Sequence, residues 1–254
     1  MSLPSKVTAA VLLIGDELLS GRTRDVNLQN IALFLAPFGI QVAESRTVSD
    51  DQHAIVAALN ALRERYDYVF TTGGIGPTHD DITADAVAAA FGVGISERED
   101  ALNILRQRIK EVDLNEARRR MARIPDGARL IANSMSGAPG IHIGNVFVLA
   151  GVPGIARAML EDVGPHLKGG AVVLSHTVRG VGLREGAFGA ALGELAAKMA
   201  DVSFGSYPYF SAEGYGAHLV ARGTDPAQMA KALEALVDLV KQQGVTPEID
   251  PPNA

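Results

Sequence analysis

No cysteine and no tryptophan occur among the 254 residues. The missing thiols exclude a disulfide framework, a thiolate zinc site, an iron–sulfur cluster and a thiol nucleophile. They also fit the cytoplasm, which is the expected location. No run reaches the ~18–20 apolar residues that a membrane helix needs. Val7–Ile14 is apolar, but Asp16 and Glu17 follow at once, where a signal peptide would carry small residues and a cleavage site. Neither a membrane partner nor export is expected. Positive charge is in deficit as well, with 23 Lys plus Arg against 29 Asp plus Glu and a net charge of −6. That balance argues against nucleic acid as a partner. Hydrophobic residues make up 47% of the chain, which excludes disorder throughout. The length allows one large domain, or one with a smaller companion.

Apolar runs alternate with helical patterns through the first two thirds. Val7–Ile14 reads as a strand buried on both faces. The stretch 25–38 carries Leu28, Ile31, Leu35 and Phe38 at helical spacing, with Gly39 as its end. A strand over 40–48 follows. Ser49 or Asp50 can cap the next helix, whose stripe is Ile55, Ala58, Leu59 and Leu62. Further strands are expected at 67–72, 129–132 and 146–150, and helices at 82–91, 97–112 and 154–163. The expected fold is α/β, a mainly parallel sheet covered by helices on both faces. The Gly-rich segment 163–170 marks a boundary, giving domains at 1–167 and 168–245. The second reads as a small βαββα unit of the α+β class. A tail over 246–254, with three prolines, is expected to fray.

The chemistry concentrates in Thr71-Thr-Gly-Gly-Ile-Gly-Pro-Thr-His-Asp-Asp81. A strand ends in threonines, a glycine turn follows and a helix begins. Ligands of open α/β sheets bind beyond the carboxyl ends of the strands. Gly73, Gly74 and Gly76 let backbone N–H groups approach an anion, while Thr72, Thr78 and the turn residue Pro77 flank it. A phosphate fits such a turn, and the helix N-terminus adds a favourable field. Asp80 and Asp81 would repel that phosphate unless a hard cation such as Mg²⁺ bridged them. The alternative is a turn built for geometry alone, with either Asp as a helix cap. The turn lacks the Gly-Lys-Ser/Thr of a P-loop, and His79 breaks the G-x-G-x-x-G of dinucleotide enzymes.

Three other loops would reach the same edge of a parallel sheet. Gly15-Asp-Glu-Leu-Leu-Ser-Gly21 brings Asp16 and Glu17, although a solvated loop is the simpler reading. Asn133–Gly140 is polar and Gly-rich and contains Ala138 and Pro139. Gly151-Val-Pro153 ends the 146–150 strand. Their convergence is the physical argument for a site. Arg118, Arg119, Arg120 and Arg123 form a basic cluster that could hold a phosphate or carboxylate. Such a run is more often a solvated helix face or an intersubunit salt-bridge surface, which is the preferred reading. His79 is the one histidine placed for a role. Tyr207-Pro-Tyr209-Phe210 reads as core or interface.

The segment Thr71–Thr83 resembles the signature of the MoaB/MogA-type molybdopterin-binding domain, in the version found in the competence/damage-inducible protein A (CinA) family. Gly15–Gly21, Ala138–Gly140 and Gly151–Pro153 are similar to three further motifs of that family, in the same order. The resemblance implies a three-layer α/β/α domain followed by a small α+β domain, and a homo-oligomer, dimer or trimer. It implies a small phosphorylated ligand, molybdopterin or a related pterin or nucleotide, at the glycine-rich edge. It places Gly15, Thr72–Gly74, Gly76–Thr78, Asn133, Ala138–Gly140, Gly151 and Pro153 around that ligand. Asp81, with Asp80 second, matches the carboxylate tied to Mg²⁺-dependent adenylyl transfer, and Glu17 is the third candidate metal ligand. Relatives of the CinA and FAD-synthase types imply an alternative, metal-dependent pyrophosphate cleavage of ADP-ribose or FAD. The nicotinamide-nucleotide deamidase domain of full-length CinA has no counterpart here, and its activity is not expected.

Overall fold

The computed structural model describes residues 6–212 and 214–251. The first strand, β1 (Val7–Ile14), explains the opening apolar run. Its side chains alternate between two cores, with Ala10, Leu12 and Ile14 on one face and Ala9, Val11 and Leu13 on the other. Both faces are therefore apolar, as a strand inside a covered sheet requires. Each fully buried Leu or Phe of these cores contributes roughly 1.5–3 kcal/mol.

The chain continues through α1 (Asp16–Leu19), α2 (Asn27–Leu35), β2 (Ile40–Val48), α3 (Gln52–Arg65), β3 (Tyr68–Thr72) and α4 (Thr83–Phe91). Then come β4 (Ile95–Glu97), α5 (Glu99–Arg106), α6 (Glu116–Arg119), β5 (Arg123–Pro125), β6 (Arg129–Ile131), β7 (Gly140–Ile143), β8 (Val146–Leu149) and α7 (Pro153–Val163). The main sheet has the order β2-β1-β3-β8-β7-β6. Its first four strands are parallel, whereas β7 runs antiparallel to both β8 and β6. Helices α3, α4 and α5 cover one face, and α2 and α7 the other. This is the three-layer, mainly parallel α/β fold that the strand–helix alternation predicts.

The chain divides between Gly170 and Ala171, three residues beyond the expected boundary. The second unit consists of β9 (Leu174–Val181), α8 (Glu185–Lys198), β10 (Ser203–Ser211), β11 (Gly214–Gly223), α9 (Pro226–Gln242) and β12 (Glu248–Ile249). Its antiparallel sheet has the order β10-β11-β9-β12 around a core that includes Val178, Phe188, Leu219 and Leu236.

Several expectations need correction. The helix expected over 97–112 spans only Glu99–Arg106. A short 3₁₀ turn occupies Glu111–Asp113, and Val112 is 87% exposed, so its place on the apolar stripe is a coincidence of spacing. Asp51, not Ser49 or Asp50, caps α3 by accepting from Ala54 N at 2.8 Å. Part of the expected frayed tail is ordered. Glu248 and Ile249 pair with β9, Glu248 forms an ion pair with Arg179 at 2.6 Å, and Asp250 N donates to Thr177 O at 3.0 Å. Residues 252–254 of that tail lie outside the described residues. Phe210 is 90% exposed at the end of the β10–β11 hairpin, so it is not a core residue. Among the described residues no helix is long and apolar enough to cross a membrane.

Candidate functional site

The parallel register of β1, β3 and β8 brings the turns after these strands to one edge of the sheet. Gly73 N donates to Leu149 O at 3.2 Å, tying the β3 turn to the end of β8. A Cβ on Gly73 would stand 2.1 Å from Ile14 O, which makes glycine obligatory where the β1 and β3 chains meet. Gly74 has φ +65°, and a Cβ there would meet the Thr83 hydroxyl at 2.2 Å. Thr83 itself is fully buried, and its hydroxyl donates to Gly73 O at 2.9 Å while its N–H donates to Gly74 O at 2.9 Å. The first residue of α4 thus holds both carbonyls of the glycine pair. Among the described residues, the N–H groups of Gly74, Ile75 and Gly76 donate to no protein acceptor.

These turns enclose a cleft of about 540 Å³, within the range typical of small-molecule sites. The β3–α4 turn supplies Gly73, Gly74, Gly76, Pro77 and Asp81, and the β1 turn supplies Glu17. The β6–β7 loop adds Asn133 and Ala138, and the β8–α7 turn adds Gly151 and Pro153. Apolar side chains of Met121, Val152, Ile155 and Met159 also line the cleft. Pro139 lines a much smaller adjoining cavity.

The remaining predicted residues sit differently. Thr72 is buried at the end of β3, and a Cβ on Gly140 would stand 2.6 Å from Val148 O. Gly15 precedes α1 and stands beside the Glu17 carboxylate. Thr78 and Asp80 are exposed and do not line the cleft. Thr78 instead donates to Asp81 twice, from its N–H at 2.8 Å and its hydroxyl at 2.5 Å. Asn133 reaches the cleft, but its side chain is engaged within its own loop. It donates to Ser136 Oγ (2.6 Å) and Ala138 O (2.8 Å) and accepts from the N–H groups of Met135 and Ser136. Asn133 therefore shapes the loop. His79 is exposed and outside the cleft.

The carboxylates do not assemble as a metal cage. Among the described residues, no three or more His, Asp or Glu side chains gather where they could hold a metal ion. Of the expected cation ligands Asp81, Asp80 and Glu17, the cleft is lined by Glu17 and Asp81, and Asp80 lies outside it. The sequence reading also missed Asp50. It lies two residues beyond β2 and accepts a hydrogen bond from Asp16 N at 3.0 Å. Burial pushes its carboxyl up, and the nearby Asp16, Glu17 and Asp80 charges act in the same direction. Its position on the sheet edge just after a parallel strand was the available signal, obscured by its plausibility as a helix cap. Asn27 was also missed. It is buried at the start of α2 and donates to Gly151 O at 2.7 Å, which holds the β8–α7 turn against the site.

Residues 10–169 match the family described as probable molybdopterin binding domain, and residues 173–249 match the middle domain of FAD synthase. A CinA-like protein of Desulfovibrio desulfuricans is 33% identical over 236 residues, covering 90% of this chain and 54% of that protein. A CinA-like protein of Gemmatimonas aurantiaca is 38% identical over 200 residues, covering 73% of this chain and 47% of that protein. The crystal structure of CinA from Thermoplasma acidophilum is 35% identical with a TM-score of 0.60, covering 64% of this chain and 99% of that one. The chain spans about half the length of these two curated relatives.

Proposed function

Because the chain belongs to the molybdopterin-binding-domain family, we propose that it holds molybdopterin, or a related phosphorylated pterin or nucleotide, for molybdenum-cofactor assembly. The observation that carries this reading is the run of three N–H groups, Gly74 to Gly76, that have no protein acceptor among the described residues and belong to the lining of the cleft. Unpaired backbone donors beside a helix N-terminus suit phosphate oxygens. The apolar lining residues Met121, Val152, Ile155 and Met159 suit a heterocycle, which thioether side chains accommodate well.

A second reading is favoured by the two carboxylates on the cleft, Glu17 and Asp81. Mg²⁺ is commonly held by one or two carboxylates together with substrate phosphates, so a three-residue cage is not required. A cation bound there would stabilise charge developing on a phosphoryl group and activate water. Asp81 and Glu17 would hold it, and the Gly74–Gly76 turn would orient the phosphates. This arrangement suits cleavage of a nucleotide diphosphate such as ADP-ribose or FAD.

Anaerobic titration with molybdopterin tests the first reading. Saturable binding without turnover supports it, and no binding refutes it. Product analysis with ADP-ribose and FAD, with and without Mg²⁺ or Mn²⁺, tests the second. Metal-dependent AMP release by the wild type and not by Asp81→Asn supports the hydrolase.

A further inference from the structure

The four arginines at 118–123 part company in the structure. Arg118 donates to Asp113 O at 2.8 Å, and Arg119 pairs with Glu97 at 2.6 Å, both away from the cleft. Arg120 and Arg123 behave differently. Together with Gly74, Gly76 and Asp81 they line a cavity of about 10 Å³. That space admits one water-sized group, and it shares Gly74, Gly76 and Asp81 with the main cleft. The Nε atoms of Arg120 and Arg123 are both buried and both lack an acceptor. A buried, permanently charged donor with nothing to donate to needs an explanation.

The two arginines also differ in charge balance. Arg123 is neutralised by an ion pair with Asp85. Arg120 reaches only the carbonyl of Asp81, at 3.5 Å, and no carboxylate pairs with it among the described residues. A cation with no carboxylate partner among the described residues therefore lines the cavity beside the glycine turn, which Asp81 also lines.

We propose that Arg120 and Arg123 form an anion subsite in the small cavity that adjoins the cleft. It takes one oxygen of a phosphate or pyrophosphate group whose other oxygens rest on the Gly74–Gly76 N–H groups. The small volume admits a single oxygen, so the group straddles the two spaces. Arg120 supplies the countercharge, and anion binding at this subsite proceeds without a divalent cation. The proposal rests on the reading of the cleft as a phosphate-binding site.

The test is a titration of the full chain with inorganic pyrophosphate in EDTA, following the arginine Nε–H signals and backbone amides by ¹⁵N NMR. The expected result is a saturable shift of the Arg120 and Arg123 Nε–H signals together with the Gly74–Gly76 amides. Arg120→Gln is expected to weaken the apparent affinity by about tenfold, as befits a lost charge-assisted bond. Shifts of the amides with unmoved Arg signals would overturn the subsite, assign the cavity to resident water and leave the phosphate reading intact. No shift of either set, up to tens of millimolar and with Mg²⁺ restored, would overturn both. The wild-type signals decide the matter even if the variant fails to fold.

Discussion

Asp81 closes the turn that contains Thr78, accepting from its N–H at 2.8 Å and its hydroxyl at 2.5 Å. The same carboxylate lines the cleft, and a Cβ on Gly76 would stand 2.6 Å from its Oδ2. One side chain thus shapes the turn and presents charge to the cleft. Asp81→Asn keeps an acceptor for Thr78 and removes the charge. It is expected to leave the melting temperature within a few degrees of the wild type, a change of about 1 kcal/mol or less. Metal-dependent turnover, if the chain has it, is expected to fall by at least about a hundredfold. Unchanged turnover would remove Asp81 from any metal-assisted step.

Gly73, in the β3–α4 turn, and Gly92, at the C-terminus of α4, separate two costs. Gly92 has φ +66° with open space around it, whereas Gly73, at φ +105°, would press a Cβ against Ile14 O. Gly92→Ala is expected to cost about 1 kcal/mol, the price of a left-handed alanine. Gly73→Ala must also move the β1 backbone, and a loss of about 3 kcal/mol or more is expected. Urea unfolding of the two variants checks the difference. Equal losses would contradict the crowded β1–β3 junction.

Thr83 holds the glycine pair from below through its buried hydroxyl. Thr83→Val keeps the shape and leaves Gly73 O without this donor. A loss of about 1–3 kcal/mol is expected, with faster hydrogen exchange confined to the 73–83 segment. Exchange that is unchanged there would show that the turn does not depend on this bond.

Asp50 makes stability depend on pH. Burial raises its carboxyl pKa in the folded chain, so the folded state keeps a proton that the unfolded state has already released. Stability therefore falls as pH rises from the ordinary Asp value, about 3.9, through the raised folded value, above which the penalty is complete. Asp50→Asn retains an acceptor for Asp16 N and removes the titration. The variant is expected to melt above the wild type at pH 7, and the gap is expected to close as the pH falls below about 4. Thermal melts across that range check this, and a gap independent of pH would contradict it.

The parallel core was legible because β1 and β3 are apolar on both faces and their turns are glycine-rich. The convergence of the 15–21, 73–81, 133–140 and 151–153 segments was legible too, since strands that run parallel deliver their turns to one edge. Strand β7 was not legible. It has only four residues, although Gly144-Asn145 between Ile143 and Val146 is a two-residue hairpin signal. Side-chain roles were the least readable. The position of Asp50 makes it look like a cap, and the distinct fates of Arg118, Arg119, Arg120 and Arg123 depend on which partners the fold brings near. Spacing along the chain carries no information on that.

The most direct test of the central claim is equilibrium binding of molybdopterin to the wild type beside Gly76→Val, whose side chain would crowd Asp81 and cover the turn. The account predicts saturable binding to the wild type and a loss of at least about tenfold in a folded Gly76→Val protein. Equal affinity of the two proteins, or no binding to the wild type, would contradict the glycine turn as the seat of the ligand.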